Sequence, residues 1–371
     1  MLQRPRILLL IPHLGGGGAE RVTALLTRGL SAQKYEVHLG LITESLMASD
    51  LIPGSVRIHS LGLRRVRSAA LPLLRLVREL EPDLILSGMA HLNFLVLLLR
   101  PFFPRKTRVV VRQNATVSGD LGSRRVPGYT RFLYRILYPN ADRIVCQTDS
   151  MAADLAVQSG VEEAQVEVLP NPVDGEAIRA LGADFVGPWS GPGPNLLAVG
   201  RLSREKGFDL LLEAFSSVRL KYPAAQLHVV GDGPERASLE TLRRDLRLEG
   251  AVRFAGYIPR PETFFPGATL FVLPSRQEGL PNALLEAAMG GLGIVALPCS
   301  DGAVGLLRGN RGAWVANEVS SRGLIRVLLA ALDAIRPGER FPHSWVEAFR
   351  MDRAILDYER LIDETLQARV L

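Results

Sequence analysis

The stretch Asn195-Leu196-Leu197-Ala198-Val199-Gly200-Arg201-Leu202-Ser203-Arg204-Glu205-Lys206-Gly207-Phe208 runs from five mostly apolar residues, through a polar loop bounded by glycines, into residues with helical spacing. A short apolar run closed by turn residues and followed by a helix is the building unit of parallel sheets. Working toward the C-terminus, further strands are read at Gln226 to Val230, Val252 to Phe254, Leu270 to Leu273 and Gly293 to Leu297. Toward the N-terminus they are read at Arg6 to Ile11, Glu36 to Ile42, Asp83 to Ser87, Arg108 to Val111, Arg143 to Gln147 and Val166 to Leu169. Helical spacing separates them throughout, so the class is α/β with two doubly wound units. Pro170, Pro172, Gly175, Gly182, Gly187, Pro188, Gly191, Pro192, Gly193 and Pro194 interrupt any period between the two sets and read as a linker. The domains are placed at residues 1–172 and 173–343. Residues 344–371, with a helix from Trp345 to Leu366, are expected to pack back on the first domain. Two such domains are expected to face each other across a cleft at the carboxyl ends of their strands, where sheets of this kind bind ligands.

A chain of 371 residues, 47% apolar and 22% charged, has the composition of a globular protein rather than a disordered or fibrous one. Its longest apolar runs, Ile7 to Ile11 and Phe94 to Leu99, fall far short of the roughly 18 residues of a membrane-spanning helix. The N-terminus lacks the apolar core of a secretory signal, and a cytoplasmic location is expected. Cys146 and Cys299 stand in apolar surroundings and read as buried thiols, not a disulfide or metal pair. Residues 1–170 hold 21 Lys plus Arg against 14 Asp plus Glu, and the remainder 23 against 24. The basic surplus therefore lies in the first half and suggests an anionic partner there. Arg64, Arg65, Arg67, Arg75 and Arg78, then Arg100, Arg105, Lys106 and Arg108, could rest on an anionic membrane surface, or form a solvated basic face. No nucleic-acid-binding pattern accompanies the charge, so nucleic acid is not an expected partner.

Three loops at strand-to-helix junctions carry the chemistry. The glycine run Gly15 to Gly18, followed by Ala19-Glu20-Arg21, lets backbone approach an anion at a helix N-terminus, with a purely structural turn as the alternative. It does not fit the dinucleotide fingerprint, because Arg21 stands where the third glycine belongs. At Gly200 to Gly207, Arg201 and Lys206 can converge on one anion, and a diphosphate suits two cations. In Ser275-Arg276-Gln277-Glu278-Gly279-Leu280-Pro281-Asn282-Ala283-Leu284-Leu285-Glu286, Pro281 suits the first turn of a helix. The amides of Gly279, Leu280 and Asn282 then form an anion nest, while Glu278 before the helix and Glu286 two turns inside it would accept hydroxyl groups.

With these motifs, and with Pro170-Asn171-Pro172-Val173-Asp174, Gly231-Asp232-Gly233-Pro234-Glu235 and Phe254-Ala255-Gly256, the chain resembles the retaining glycosyltransferases of family four over nearly its whole length. The resemblance implies the GT-B fold of two Rossmann-like domains. It implies that Arg201 and Lys206 hold the diphosphate of a UDP-sugar, Glu278 the transferred sugar and Glu286 the ribose, with Gly16, Gly17, Gly279, Leu280 and Asn282 completing the donor site. His91, in the loop after Ser87-Gly88, would lie near the transferred sugar or the acceptor, with a core or surface histidine as the alternative; His13 is a lesser candidate. Val111-Arg112-Gln113-Asn114 is similar to a loop of members that act on lipid-linked saccharides, which makes Arg112 and Asn114 candidate acceptor contacts. No Asp-x-Asp occurs, so no metal or other cofactor is expected, and leaving-group charge falls to Arg201 and Lys206. The implied activity moves a hexose or N-acetylhexosamine, with its anomeric configuration kept, onto a glycan acceptor in cell-envelope polysaccharide assembly, lipid-linked and reached from the inner face of the membrane. The rivals are a nucleotide-sugar 2-epimerase of similar frame and a non-catalytic nucleotide-sugar-binding protein.

Overall fold

A computed structural model describes residues 4–44, 51–122, 128–181, 187–189, 191 and 193–368. Gly182 and Pro192 of the expected linker lie outside them. The chain forms two compact units, one of residues 1–172 with 351–371, the other of residues 173–350.

The first unit carries β1 (Arg6–Ile11), β2 (Glu36–Leu41), β3 (Arg57–Ser60), β4 (Leu84–Gly88), β5 (Arg108–Arg112), β6 (Arg143–Cys146) and β7 (Val166–Val168). They pair in parallel in the order β3-β2-β1-β4-β5-β6-β7. Because β1, β4 and β5 are largely apolar, side chains alternate into two cores, with Leu8, Ile85 and Val109 on one face and Ile7, Leu9, Leu84 and Val110 on the other. The helix Met351–Gln367 closes the second of these cores with Ile355, Tyr358, Leu361 and Ile362. Burial of about 1.5 to 3 kcal/mol for each such large apolar side chain is what holds the end of the chain on the first unit.

The second unit carries β8 (Asn195–Val199), β9 (Gln226–Val230), β10 (Val252–Gly256), β11 (Leu270–Leu273), β12 (Gly293–Ala296) and β13 (Ala313–Val315), again parallel, in the order β10-β9-β8-β11-β12-β13. In each sheet the strand order reverses beside the unit's first strand, between β1 and β4 and between β8 and β11. The loops that leave β1 and β8 therefore open at the crevice where doubly wound sheets take ligands, and these are the two glycine-bearing loops.

The structure corrects several sequence expectations. β3 and β13 were not anticipated: β3 is a four-residue edge strand with mostly exposed side chains, and β13, Ala-Trp-Val, is an edge strand of only three half-buried residues. The expected helix from Trp345 begins instead at Met351. Residues Ser344–Phe349 form a tight 3-10 segment whose Val346 and Phe349 are buried in the second unit's core, so the chain passes back to the first unit at 350–351 rather than at 344. The expected linker also starts structured. Val173 donates to the Phe349 carbonyl (2.8 Å), and Asp174 caps the helix Gly175–Arg179.

Candidate active site

The carboxyl ends of β8 and β11 bring together two loops that lie 72 residues apart in sequence. Lys206 Nζ donates to Glu278 Oε1 at 2.5 Å, and Ser275 Oγ donates to the same oxygen at 2.7 Å. The loops are tied together from below. Arg276 grips Asp209 through both carboxylate oxygens (2.7 and 2.6 Å), donates to the Arg204 carbonyl (2.9 Å), and gives its backbone amide to Glu205 (2.8 Å). Burial works against the charged Asp209, yet the Arg276 hydrogen bond and charge carry its carboxyl below the usual range. Gly207 sits at φ 65°, and a Cβ there would overlap the Pro274 carbonyl oxygen, so only glycine permits this approach of the two loops.

Arg201 stands exposed on the same loop as Lys206 and makes no ion pair among the described residues, so its charge is available to a ligand. Glu278 donates its amide to the Cys299 carbonyl (3.1 Å), and Ser300 Oγ donates to the Gly279 carbonyl (2.9 Å). Burial, and after it the charge of Glu278, pushes the Cys299 thiol up to about 12. Burial chiefly does the same to Cys146, and both thiols are free and buried.

Gly279 and Leu280 are buried at the entrance of the helix Asn282–Met289, with Asn282 half-buried at its first position. Pro281 is the cap of that helix rather than a residue of its first turn. Glu286 therefore lies about one turn inside instead of two, and it is buried. Sequence reasoning missed Ser275 and the Arg276–Asp209 clamp. A serine at the tip of a strand three residues before Glu278 was the only visible signal of the former.

In the first unit, Gly16 (φ 82°) and Gly17 lead from β1 into the helix Gly18–Gly29, with Gly17 as its cap. His13 Nδ1 accepts from the Gly15 amide (3.0 Å) and stands 3.3 Å from the buried Glu20 carboxylate. His91 opens the helix Ala90–Leu99 after β4, and the junction residue Met89 is held at φ 75°, a strained geometry for a side-chain-bearing residue and one that clusters at functional sites. Part of the His91 ring reaches solvent, but crowding by protein, and secondarily the charge of His13, lowers its pKa and favours the neutral imidazole.

Arg112, a candidate acceptor contact, is engaged within the first unit. It is 3% exposed, donates Nε to Tyr358 Oη of the C-terminal helix (3.1 Å), and gives its other nitrogens to Asn114 Oδ1 and Asn171 Oδ1. Its cation is spent inside the unit, where it ties β5 to the last helix and to the Pro170-Asn171-Pro172 turn. Asn114 stands beside it and accepts from Gln147 Nε2 at 3.4 Å. The basic series also divides. Arg100 and Arg108 pair with Asp142 (2.7 and 3.0 Å) and Lys106 with Glu81 (3.3 Å), whereas Arg64, Arg65, Arg67, Arg75 and Arg78 are exposed and form no ion pair among the described residues.

Two Rossmann-like sheets with glycine loops at their switch points, one of which presents an exposed arginine and a paired lysine, form the GT-B architecture of glycosyltransferases. Solved structures of the same fold include sucrose-phosphate synthase of Thermosynechococcus elongatus (TM-score 0.81, 18% identity, 98% of this chain and 100% of that one) and HepE of Anabaena in complex with UDP-glucose (0.72, 17%, 98% and 99%). A family described as Glycosyltransferase Family 4 matches residues 16–177, and one described as Glycosyl transferases group 1 matches residues 193–334. In Campylobacter jejuni, N-acetylgalactosamine-N,N'-diacetylbacillosaminyl-diphospho-undecaprenol 4-alpha-N-acetylgalactosaminyltransferase is 30% identical over 80% of this chain and 81% of its own length. The lipopolysaccharide core biosynthesis glycosyltransferase LpsE of Rhizobium meliloti is 26% identical over 85% and 86%. The chain belongs to glycosyltransferase family 4.

Proposed function

We propose that this glycosyltransferase moves a hexose or N-acetylhexosamine from a UDP-sugar to a lipid-linked glycan at the inner face of the cell membrane, with retention of configuration and without a metal. The observation that carries the donor side is the Lys206–Glu278 pair beside the exposed Arg201, at the switch point of the second sheet. A diphosphate draws Lys206 and Arg201 onto its oxygens and leaves the Glu278 carboxylate, still held by Ser275, to accept from hydroxyls of the transferred sugar. Glu286 serves the ribose, and Gly279, Leu280 and Asn282 line the donor. Neutral His91 hydrogen-bonds to sugar or acceptor.

In the reaction the bond from the anomeric carbon to the phosphate oxygen breaks. The acceptor oxygen bonds to that carbon on the same face, and the acceptor's proton passes to the departing phosphate. Arg201 and Lys206 meet the charge that develops there. The lipid-linked acceptor follows the diphospho-undecaprenol substrate in the name of the Campylobacter relative, which also supports the N-acetylhexosamine class.

The test combines UDP-sugars with an undecaprenyl-diphosphate-linked oligosaccharide and reads the product's anomeric configuration by NMR. Lys206→Ala is expected to lower turnover about 100- to 1000-fold. Normal kinetics in that variant, or soaked UDP-sugar with its phosphorus atoms remote from Arg201 and Lys206, would overturn the assignment.

A further inference from the structure

The helix Thr130–Leu137 buries Thr130, Tyr134 and Leu137 in the first unit, yet the side chains it turns outward are also apolar. Phe132 is 63% and Ile136 49% exposed, and Tyr129, just before the helix, is 65% exposed. Positions 129, 132 and 136 fall on one stripe of a 3.6-residue helix, and Arg131 and Arg135, both exposed, flank it on one side. The helix carries no acidic residue. Arg135 Nε donates to the Gln158 carbonyl (3.3 Å), which brings the neighbouring helix alongside with Val157 75% exposed. Bare aromatic and branched side chains edged by arginine cost solubility unless something apolar and anionic covers them.

We propose that this stripe enters the interface of an anionic bilayer, with Tyr129, Phe132 and Ile136 reaching the acyl boundary and Arg131 and Arg135 resting among the headgroup phosphates. The occupant is argued from the charge pattern. A purely apolar stripe would suit a protein partner, but two exposed arginines that form no ion pair among the described residues, on a helix without an acidic residue, match a surface of negative headgroups. The inference deepens the proposed function and rests on its lipid-linked acceptor. It also differs from the charge-only face at Arg64 to Arg78, because insertion of apolar groups survives salt that screens charge.

The experiment sediments the full chain with vesicles of phosphatidylcholine and phosphatidylglycerol in equal parts, and with phosphatidylcholine alone, at low and at 0.5 M salt, where the screening length falls to roughly half of its physiological 8 Å. Binding is expected on the anionic vesicles, weakened but retained in salt. The double variant Phe132→Ser/Ile136→Ser should lose partitioning about tenfold or more. Its melting temperature and its stabilisation by UDP should stay unchanged, which separates surface loss from misfolding. Arg131→Gln/Arg135→Gln should lose the preference for anionic vesicles. Wild-type binding by the Ser variant would overturn the proposal, as would binding abolished entirely by salt, or a dimer in sedimentation that the Ser variant dissolves. Vesicle binding without transfer to any lipid-linked acceptor would instead sink the proposed substrate and leave the docking surface standing.

Discussion

Lys206 and Glu278 hold each other at 2.5 Å, and this geometry yields a test at a single side chain. Glu278→Gln removes the competing carboxylate from Lys206, so UDP binding should hold or tighten while turnover falls about 100-fold or more, read by calorimetry and initial rates. Parallel losses of both would mean that the carboxylate serves only to place Lys206. Glu286→Ala should raise the donor KM more than it lowers kcat, as expected for a group that contacts the ribose rather than the reacting carbon. Arg112 shows what a motif leaves out. Its sequence neighbourhood suggested an acceptor contact, but its partner Tyr358 lies 246 positions away, and no local pattern announces such a bond. Arg112→Ala should therefore cost about 1 to 3 kcal/mol of stability in urea unfolding, since it removes a charged donor from the buried Tyr358 and Asn171 oxygens. Unchanged stability with a raised acceptor KM would return it to the substrate site.

The loop from Gly200 to Gly207 works as a single element, clamped by Arg276 to Asp209 and fitted against Pro274 through a glycine that no other residue replaces without strain. Gly207→Ala is expected to destabilise the second unit by about 1 to 3 kcal/mol and to weaken UDP binding, measured by thermal melts with and without UDP. An unperturbed variant would show that the loop adapts and that its glycine is not what positions Lys206. This element was largely legible beforehand, because strand, glycines and cations are contiguous and each obeys a local rule. β3 and β13 were not legible, because edge strands of four and three residues are held by pairing with a neighbour and are too short to show a period. The entry at Met351 was likewise hidden. Val346 and Phe349 read as part of one amphipathic run with the last helix, and only their burial in the second unit's core divides it.

Across the whole molecule, buried imidazoles couple stability to pH in both units. His38 in the first, and His228 and His343 in the second, have pKa values lowered mainly by burial. His228, packed 4.4 Å from the ring of Trp189 and influenced next by Arg253, falls to about 4. Between about 6.5 and 4 the unfolded chain binds a proton that the folded one refuses, so stability is full above pH 6.5 and declines as pH drops through that window. For His228 the loss should reach about 3 kcal/mol, and His228→Gln should flatten the decline in urea midpoints compared at pH 7 and pH 4.5. A flat wild-type profile would show that the imidazole is hydrated. The sequence alone determined the α/β class, the core strands, the glycine loops and the candidates for the donor site, because periodicity, turn chemistry and residue type act within a few neighbouring positions. Tertiary structure alone decided which charges are spent and which remain open. Lys206 meets Glu278, Arg112 is consumed by Tyr358, and Phe132 is left bare, because burial and pairing depend on elements that come together only when distant parts of the chain pack.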